Sequence, residues 1–398
     1  MKFLALIPCC IILCVSRSAG QSDLEIYGYV QPAFEAYHTW WSPSPPEGEN
    51  NYHFNVVGIN QANVFFSKNL SEKFTAFVNM EFINNYNSGN GWGSFSLQEA
   101  YVRWDARDYF KVKIGLALPA FNNLMEIYNR TPLLPYILRP KLYAVDAGNL
   151  VDFFNILPQK ALLHVNGIIP VQDLKVDYAA YVLAPVNNSF SSPTNNLLPG
   201  YVSFGQPATA DVGLGGRLGI HTADLKAGVS FTRDIENQSA FVYNTDGDVA
   251  DLGSMTRYRF GADFSITVGK FSLAAEYLVT KTITPQTIQD SLDVWHAAAP
   301  YDIGNSFRKY FYYATLQYDV SDQLFAYAMY DNLMDETNPY YFGLDGYGGV
   351  SIGAGYRVND LLILKLQFQN NFARFEDNSG TISRYQEFIP AVGVSFSF

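Results

Sequence analysis

Residues 110–118 read FKVKIGLAL, and their alternation indicates the fold class. Every second residue from Phe110 to Leu118 is bulky and apolar, whereas Lys111 and Lys113 occupy positions between them. Because the side chains of a strand point alternately to its two faces, this pattern predicts a strand with one apolar face and one wet face. Five apolar positions on a tilted strand span roughly the height of a bilayer core. The stretch therefore predicts a membrane-spanning strand.

The segment that follows, residues 119–158, is apolar but irregular. Proline removes a backbone donor and fixes φ, so five prolines exclude a helix or a central strand across most of this length. They are Pro119, Pro132, Pro135, Pro140 and Pro158. The segment is also rich in Leu, Ile, Tyr and Phe, so it needs a concave place in which to be buried. We predict that it folds inward into a barrel formed by the rest of the chain.

The connections between the predicted strands alternate between short and long. Short turns are predicted at residues 68–72, 105–108, 170–173, 221–224, 269–270, 321–323 and 359–360. Outer-membrane barrels place short turns in the periplasm and long loops outside. The count of strands predicts an all-β fold, a 16-stranded antiparallel transmembrane β-barrel with short periplasmic turns and long extracellular loops. Residues 21–398 would form this barrel, and residues 119–158 would be its inward-folded third loop.

The first twenty residues predict a secretory signal peptide. Lys2 precedes an apolar run over residues 3–15, and small residues at 16–20 offer a cleavage site after Gly20. All three cysteines lie in this stretch. At the other end, Val392, Val394, Phe396 and Phe398 share one face of a final strand. This ending resembles the C-terminal signal of bacterial outer-membrane barrels.

Composition narrows the class of protein further. The formal net charge of −11 argues against a nucleic-acid partner. Charged residues make up only 16% of the chain, and aromatic residues also make up 16%. No stretch of eighteen apolar residues follows the signal, so no transmembrane helix is predicted. This combination suits a barrel wall with one face toward lipid and the other toward water.

Residues 97–119, LQEAYVRWDARDYFKVKIGLALP, resemble the segment that precedes the inward loop in porins of the phosphate-selective (O/P-type) superfamily. The likeness lies in Glu99-Ala100-Tyr101, a short turn, and a strand ending in Gly115 and Pro119. Arg139-Pro140 resembles an Arg-Pro of such inward loops. The resemblance implies a Gram-negative outer-membrane porin, a homotrimer that passes small hydrophilic solutes and ions by passive diffusion, with neither a cofactor nor a catalytic role.

A porin needs a wet lumen and a constriction whose charge selects solutes. We expect the constriction to comprise Arg130, Arg139, Lys141, Glu126 and Asp146 of the inward segment, with Arg103, Lys111 and Lys113 of the neighbouring strands. Strand parity assigns the pore wall to Arg217, Arg257, Arg259, Arg357, Lys365, Glu81 and Glu99. Opposed basic and acidic groups would orient polar solutes, or the charges would simply pair with one another. The basic residues beside the segment favour anions weakly.

Other interpretations stay open. A channel specific for phosphate, a sugar or another nutrient fits the same pattern. An outer-membrane barrel enzyme would need a nucleophile near a histidine such as His164. Outer-membrane lipid and lipopolysaccharide are expected partners, and residues 244–251 offer a weak divalent-cation loop that is more simply a solvated loop. No metal site is predicted, and Tyr310–Tyr313 is expected to belong to the aromatic girdle.

Overall fold

The computed structural model describes residues 24–42, 51–83, 94–127, 132–143, 156–185, 212–237, 242–243, 249–250, 254–283, 306–335, 346–376 and 382–398. These residues contain β1 (Leu24–Ser42), β2 (Asn51–Ser71), β3 (Phe74–Ile83), β4 (Ser94–Arg107), β5 (Phe110–Ala117), β6 (Ala161–Val171), β7 (Leu174–Leu183), β8 (Gly213–His221), β9 (Leu225–Asn237), β10 (Val242–Tyr243), β11 (Val249–Ala250), β12 (Ser254–Val268), β13 (Phe271–Ile283), β14 (Ser306–Asp319), β15 (Leu324–Asp335), β16 (Gly346–Asn359), β17 (Leu362–Glu376) and β18 (Ile382–Ser397). One short helix, α1 (Asn122–Ile127), and a 3-10 turn (Lys141–Tyr143) lie between β5 and β6.

Sixteen of these strands form one closed antiparallel barrel, which confirms the predicted fold class. Each strand pairs with its neighbours along the chain, and β1 pairs with β18 to close the sheet; β10 and β11 form a separate two-stranded ladder, so β9 pairs with β12. Connections of two to four residues define one end of the barrel, which we call the short-turn end. The longer connections lie at the opposite, long-loop end. Among the described residues, no helix is long and apolar enough to cross a membrane.

The two faces of the wall differ in polarity as the alternation predicts. Ile114 and Phe260 point outward and are 64% and 53% exposed, and Phe110 is exposed beside them. The alternate positions carry polar side chains that are buried inside the barrel, such as Asn63 and Gln367. An apolar exterior around a polar interior is the arrangement of a membrane barrel with a wet lumen.

Strand lengths vary where the sequence pattern is least regular. β1 continues to Ser42 because both of its neighbours extend the ladder: Trp40 lies opposite Asn51 on β2 and Gln386 on β18. A register shift falls between Gln31 and Pro32, since proline offers no N–H to the ladder. β5 has only 8 residues whereas β4 has 14, so the chain leaves the wall well below the long-loop end.

Candidate functional site

The described parts of residues 119–158 lie inside the barrel, since their partners are inward-facing side chains around its circumference. The amide of Asn122 donates to Ser230 Oγ on β9 at 3.0 Å. The amide of Ile137 donates to Gln367 Oε1 on β17 at 2.7 Å, and its carbonyl accepts from Gln31 Nε2 on β1 at 2.9 Å. Strands this far apart in a closed sheet share only the lumen. We call these parts of the chain the inner segment.

An apolar cluster fixes one side of the inner segment to the wall. Its members are Phe121, Leu124, Leu142, Tyr143 and Ile156 of the segment and Leu278, Phe311, Tyr313, Leu333 and Tyr347 of β13–β16. Burial of each large apolar side chain contributes about 1.5–3 kcal/mol, so this patch is a major part of the anchoring. The assignment of the whole stretch from Tyr310 to Tyr313 to the outer girdle was wrong, because Phe311 and Tyr313 point inward and are buried.

Lys141 is a structural anchor of the inner segment. Its Nζ lies 2.7 Å from Asp331 Oδ1 on β15, and its backbone amide donates to Asp331 Oδ2 at 2.7 Å. Both side chains are only 2% exposed, and Nζ also lies 4.9 Å from the ring centre of Tyr347. Burial lowers the pKa of Lys141 below its ordinary value, and the Asp331 carboxylate opposes this shift. The Lys141 charge, which was predicted to face the constriction, is thus paired with Asp331 of the barrel wall.

Arg139 reaches the opposite side of the barrel. Its Nη2 lies 3.8 Å from Glu81 Oε1 on β3, and both side chains are buried. Glu81 also accepts hydrogen bonds from Gln61 Nε2 at 3.2 Å and from Gln98 Nε2 at 2.5 Å. The segment therefore extends across the lumen from β15 to β3.

Lys365 joins the inner segment to the seam between β1 and β18. Its Nζ donates to the carbonyl oxygens of Pro132 at 2.9 Å and Tyr136 at 3.2 Å, and to Gln31 Oε1 at 3.0 Å. Lys365 was predicted, but Gln31 and its counterpart Gln367 were missed. Their only sequence signal was an amide side chain at an inward-facing strand position, and an amide indicates a functional contact less strongly than a charged group does.

The remaining predicted cations of β8 and β12 are held in ion pairs. Arg217 pairs with Asp263 and with Asp177, whose Oδ2 lies 3.5 Å from Arg217 Nε. Arg257 Nε and Arg259 Nη1 both contact Asp234, at 3.0 and 2.5 Å. Arg259 Nε also donates to the carbonyl of Ile156 at 2.7 Å, which holds the far end of the inner segment.

Arg103, Lys111 and Lys113 form a more accessible basic group on the lumen face. Arg103 lies directly opposite Lys113 in the β4–β5 ladder, and its side chain is 36% exposed. Arg103 Nε contacts Asp105 Oδ2 at 2.9 Å, and Lys113 Nζ lies 5.0 Å from the ring centre of Tyr101. Like charges directly opposite in a ladder repel each other, and the Asp105 carboxylate offsets part of this repulsion at Arg103.

Two more predicted residues are part of the wall. Glu99 is buried and accepts from the amide of Leu118 at 3.2 Å, which fixes the start of the inner segment. Arg357 is partly exposed and pairs with Asp319 at 3.1 Å. Arg130 and Asp146 lie outside the described residues, as do residues 1–20 and most of residues 244–251, and the side chain of Glu126 is also outside what the structure describes.

The described residues offer little catalytic chemistry. His164 is only 3% exposed and stacks on Tyr181 at 5.7 Å between ring centres. Within the described part of the chain, neither of its ring nitrogens has a hydrogen-bond partner, so no carboxylate orients it as a base. No group of three or more His, Cys, Asp or Glu in these residues could hold a metal ion.

Comparison with solved structures finds the same fold in outer-membrane channels. The outer membrane channel DcaP of Acinetobacter baumannii matches with a TM-score of 0.56 and 11% identity, over 94% of this chain and 97% of that chain. The anion-selective porin from Comamonas acidovorans matches with a TM-score of 0.56 and 10% identity, over 94% of this chain and 100% of that chain. This chain has the fold of outer-membrane porins.

The trimer form of OmpT, an outer membrane protein of Vibrio cholerae, matches with a TM-score of 0.50 and 11% identity, over 94% of this chain and 99% of that chain. No protein-family model and no curated protein sequence matches the chain. At these identities the matches establish the fold. They do not identify the solute, which has to be inferred from the side chains that line the lumen.

Proposed function

We propose that this protein is an outer-membrane porin, through which small hydrophilic solutes and ions diffuse passively, and that it is not an enzyme. The observation that carries the proposal is a closed sixteen-strand barrel with a polar inner face and a chain segment across its lumen. Barrels of this size enclose an aqueous channel, and an inner segment narrows it. Diffusion through such a channel requires no catalytic group and no cofactor.

The inner segment is the proposed constriction, and its charges divide into two roles. Arg139 and Lys141 are buried in contacts with Glu81 and Asp331, so they hold the segment in place. Arg103, Lys111 and Lys113 line an accessible part of the wall, and they give the channel a weak preference for anions. Arg130, Glu126 and Asp146 complete the constriction in this proposal.

Reversal potentials in a salt gradient test this division of roles. Replacing Lys111 and Lys113 together with glutamine is expected to reduce the anion preference, because two lumen charges are removed. Lys68→Gln is the matched control, since Lys68 is an exposed charge on an outward-facing position of β2. An unchanged reversal potential in the Lys111→Gln/Lys113→Gln variant would remove the anion assignment. A complete lack of conductance by the folded wild-type protein would remove the porin assignment.

A channel specific for phosphate, a sugar or another nutrient is the second candidate. The observation that favours it is the extent of the inner segment, which contacts strands from β3 to β15 and leaves less room than an open channel. Solute competition separates the two: a specific channel shows saturable block of ion current by one solute, whereas a general porin shows none. An enzyme would instead hydrolyse lipid or peptide, with activity lost in His164→Ala.

The same proposal covers export and assembly. Residues 1–20 act as the signal peptide, so sequencing the N-terminus of protein taken from outer membranes should begin at Gln21. The functional unit is a homotrimer, in line with the trimer form of the similar OmpT structure. Native mass spectrometry in detergent would give three times the mass of one mature chain, and a monomer alone would contradict this.

A further inference from the structure

Two histidines face each other on the outer surface of the barrel, near the long-loop end. His38 on β1 lies directly opposite His53 on β2, and the ladder between these strands runs without a register shift from Pro32 to Trp40. The Nδ1 atoms of the two rings are 2.8 Å apart, and the ring centres are 4.8 Å apart. Two paired strands thus hold two imidazole nitrogens close together. We call His38 and His53 the histidine pair.

The neighbours of the histidine pair hold its rings in place and leave it open to water. The indole of Trp40 stacks on the His38 ring, with centres 6.4 Å apart and planes inclined by 20°. Phe388 on β18 lies directly opposite His38 and is exposed on the same outer face. His53 is exposed and His38 is partly buried. The aromatic neighbours restrict the rings, and the open side gives ions from the medium access to them.

The outer face around the histidine pair carries no charge at its described positions. The outward-facing side chains next to the pair on β1, β2 and β18 are apolar groups or neutral amides, namely Ala36, Trp40, Asn51, Asn55, Gln386, Phe388 and Pro390. No lysine or arginine at these positions repels a cation. A site of imidazoles without carboxylates has little affinity for Mg²⁺ or Ca²⁺, because these ions prefer oxygen ligands.

The spacing of the two nitrogens fits a single transition-metal ion. Imidazole binds such ions at about 2.0–2.1 Å, so two nitrogens on one ion are about 2.8–3.0 Å apart at a right angle and about 3.3–3.4 Å apart at a tetrahedral angle. The observed 2.8 Å matches the right angle of a tetragonal Cu(II) or Ni(II) site. Without an ion, one Nδ1–H donates to the other Nδ1. With an ion, both neutral rings carry their hydrogen on Nε2, which frees both Nδ1 lone pairs.

We propose that His38 and His53 bind one divalent late transition-metal ion, Cu(II) in preference to Ni(II) and Zn(II), with water in the remaining coordination positions. The preference follows from the general order of affinities of nitrogen ligands, which peaks at Cu(II). A bound ion links β1 to β2 by side chains, next to the seam at which β1 meets β18. The site lies on the outer face and not in the lumen, so it is independent of solute passage.

Binding of Cu(II) to the purified full-length protein, prepared without a histidine tag and kept in uncharged detergent, tests the site. Calorimetric titration should show a saturable site, and the electron paramagnetic resonance spectrum should show coupling to two imidazole nitrogens. Loss of a second-shell partner already weakens metal sites about 10–100-fold, so loss of a ligand in His38→Gln or His53→Gln should weaken binding by at least about tenfold. The double variant should lack the site. His221→Gln is the matched control, because His221 lies at the short-turn end, where its Nδ1 contacts Asp177 Oδ1 at 3.3 Å.

A measurement on the wild type alone keeps the test decisive if a variant folds poorly. Diethyl pyrocarbonate modifies accessible imidazole nitrogens, and peptide mass spectrometry follows the reaction at each histidine. Cu(II) should slow modification of His38 and His53 and leave that of His221 unchanged, whereas Mg(II) at the same concentration should protect none of them. Ni(II) and Zn(II) should bind more weakly than Cu(II).

Several outcomes would overturn the proposal. They are equal copper affinity of the wild type and the double variant, a spectrum without two-nitrogen coupling, and modification rates that Cu(II) does not change. Each would mean that the histidine pair is only a hydrogen bond between two strands. Tighter binding of Ni(II) or Zn(II) would contradict the preference for copper. The conductance of the double variant should equal that of the wild type, so failure of this proposal and failure of the porin proposal are distinguishable.

Discussion

Replacing Asp331 with alanine tests whether a buried ion pair holds the inner segment against the wall. In the wild type, the Asp331 carboxylate accepts from both Nζ and the backbone amide of Lys141, at 2.7 Å each. Removing one partner of a buried ion pair costs about 3–5 kcal/mol, because the remaining charge has no compensation. We therefore expect Asp331→Ala to lower the free energy of unfolding by about 3–5 kcal/mol.

A second substitution, at Lys141, should restore part of the stability that Asp331→Ala removes. Changing Lys141 to methionine in the Asp331→Ala background removes the uncompensated charge but keeps an apolar chain of similar length beside Tyr347. Since apolar replacement of a buried pair is often neutral or stabilising, the double variant should be more stable than Asp331→Ala alone. The barrel ladder itself does not depend on this side chain, so all variants should still insert in membranes.

Urea unfolding in lipid vesicles, followed by tryptophan fluorescence, measures these differences. Asp319→Ala is the matched control, because Asp319 pairs with Arg357 in a partly exposed setting where an ion pair contributes about 0–1 kcal/mol. Single-channel recordings should also show larger current fluctuations in Asp331→Ala, since the inner segment has lost an anchor. A stability equal to the wild type, or a double variant no more stable than the single one, would refute the reasoning.

Three other changes have definite expected results. Lys160 directly precedes β6, and its Nζ donates to the inward-facing Gln98 Oε1 of β4 at 2.6 Å. Burial lowers the pKa of Lys160 to about 8, so its charge is lost as the pH rises through about 8. The anion preference should therefore fall between pH 7 and 9 in the wild type and stay constant in Lys160→Met, and parallel pH profiles would contradict this. Gly349→Ala would place a methyl group against Lys141 Nζ, so its current fluctuations should match those of Asp331→Ala, and wild-type traces would count against the packing. Phe264→Arg, near the middle of the lipid face of β12, should destabilise the inserted barrel by about 2–4 kcal/mol, and Tyr258→Arg, nearer the long-loop end, by about 0–1 kcal/mol; equal costs would contradict this difference in depth.

The wall of the barrel could be predicted from sequence because its chemistry repeats every two residues. Phe110 and Ile114 lie on the lipid side, and Lys111 and Lys113 lie on the lumen side, as their alternation indicates. The rule fails where both faces are aromatic. On β14, Phe311 faces the lumen and Tyr310 faces outward, so periodicity alone could not separate the two sides.

The site was harder to predict, because its contacts join distant parts of the chain. Lys141 and Arg139 could be recognised as inner-segment cations from sequence, but their partners Asp331 and Glu81 come from unrelated strands. The type of residue could therefore be predicted, but its buried and paired state could not. Gln31 was missed for a related reason, since an uncharged amide in a strand carries no signal until its three contacts are known.

The position of Gln31 also couples closure of the barrel to the placement of the inner segment. It accepts from Ser395 Oγ of β18 at 2.8 Å while its own amide donates to Ile137 of the inner segment. β1 and β18 are the two ends of the barrel domain, and joining strands so distant in sequence has the highest loop-closure cost of any ladder here. Because one side chain bonds both β18 and the inner segment, the contents of the lumen stabilise the ladder that is entropically hardest to form.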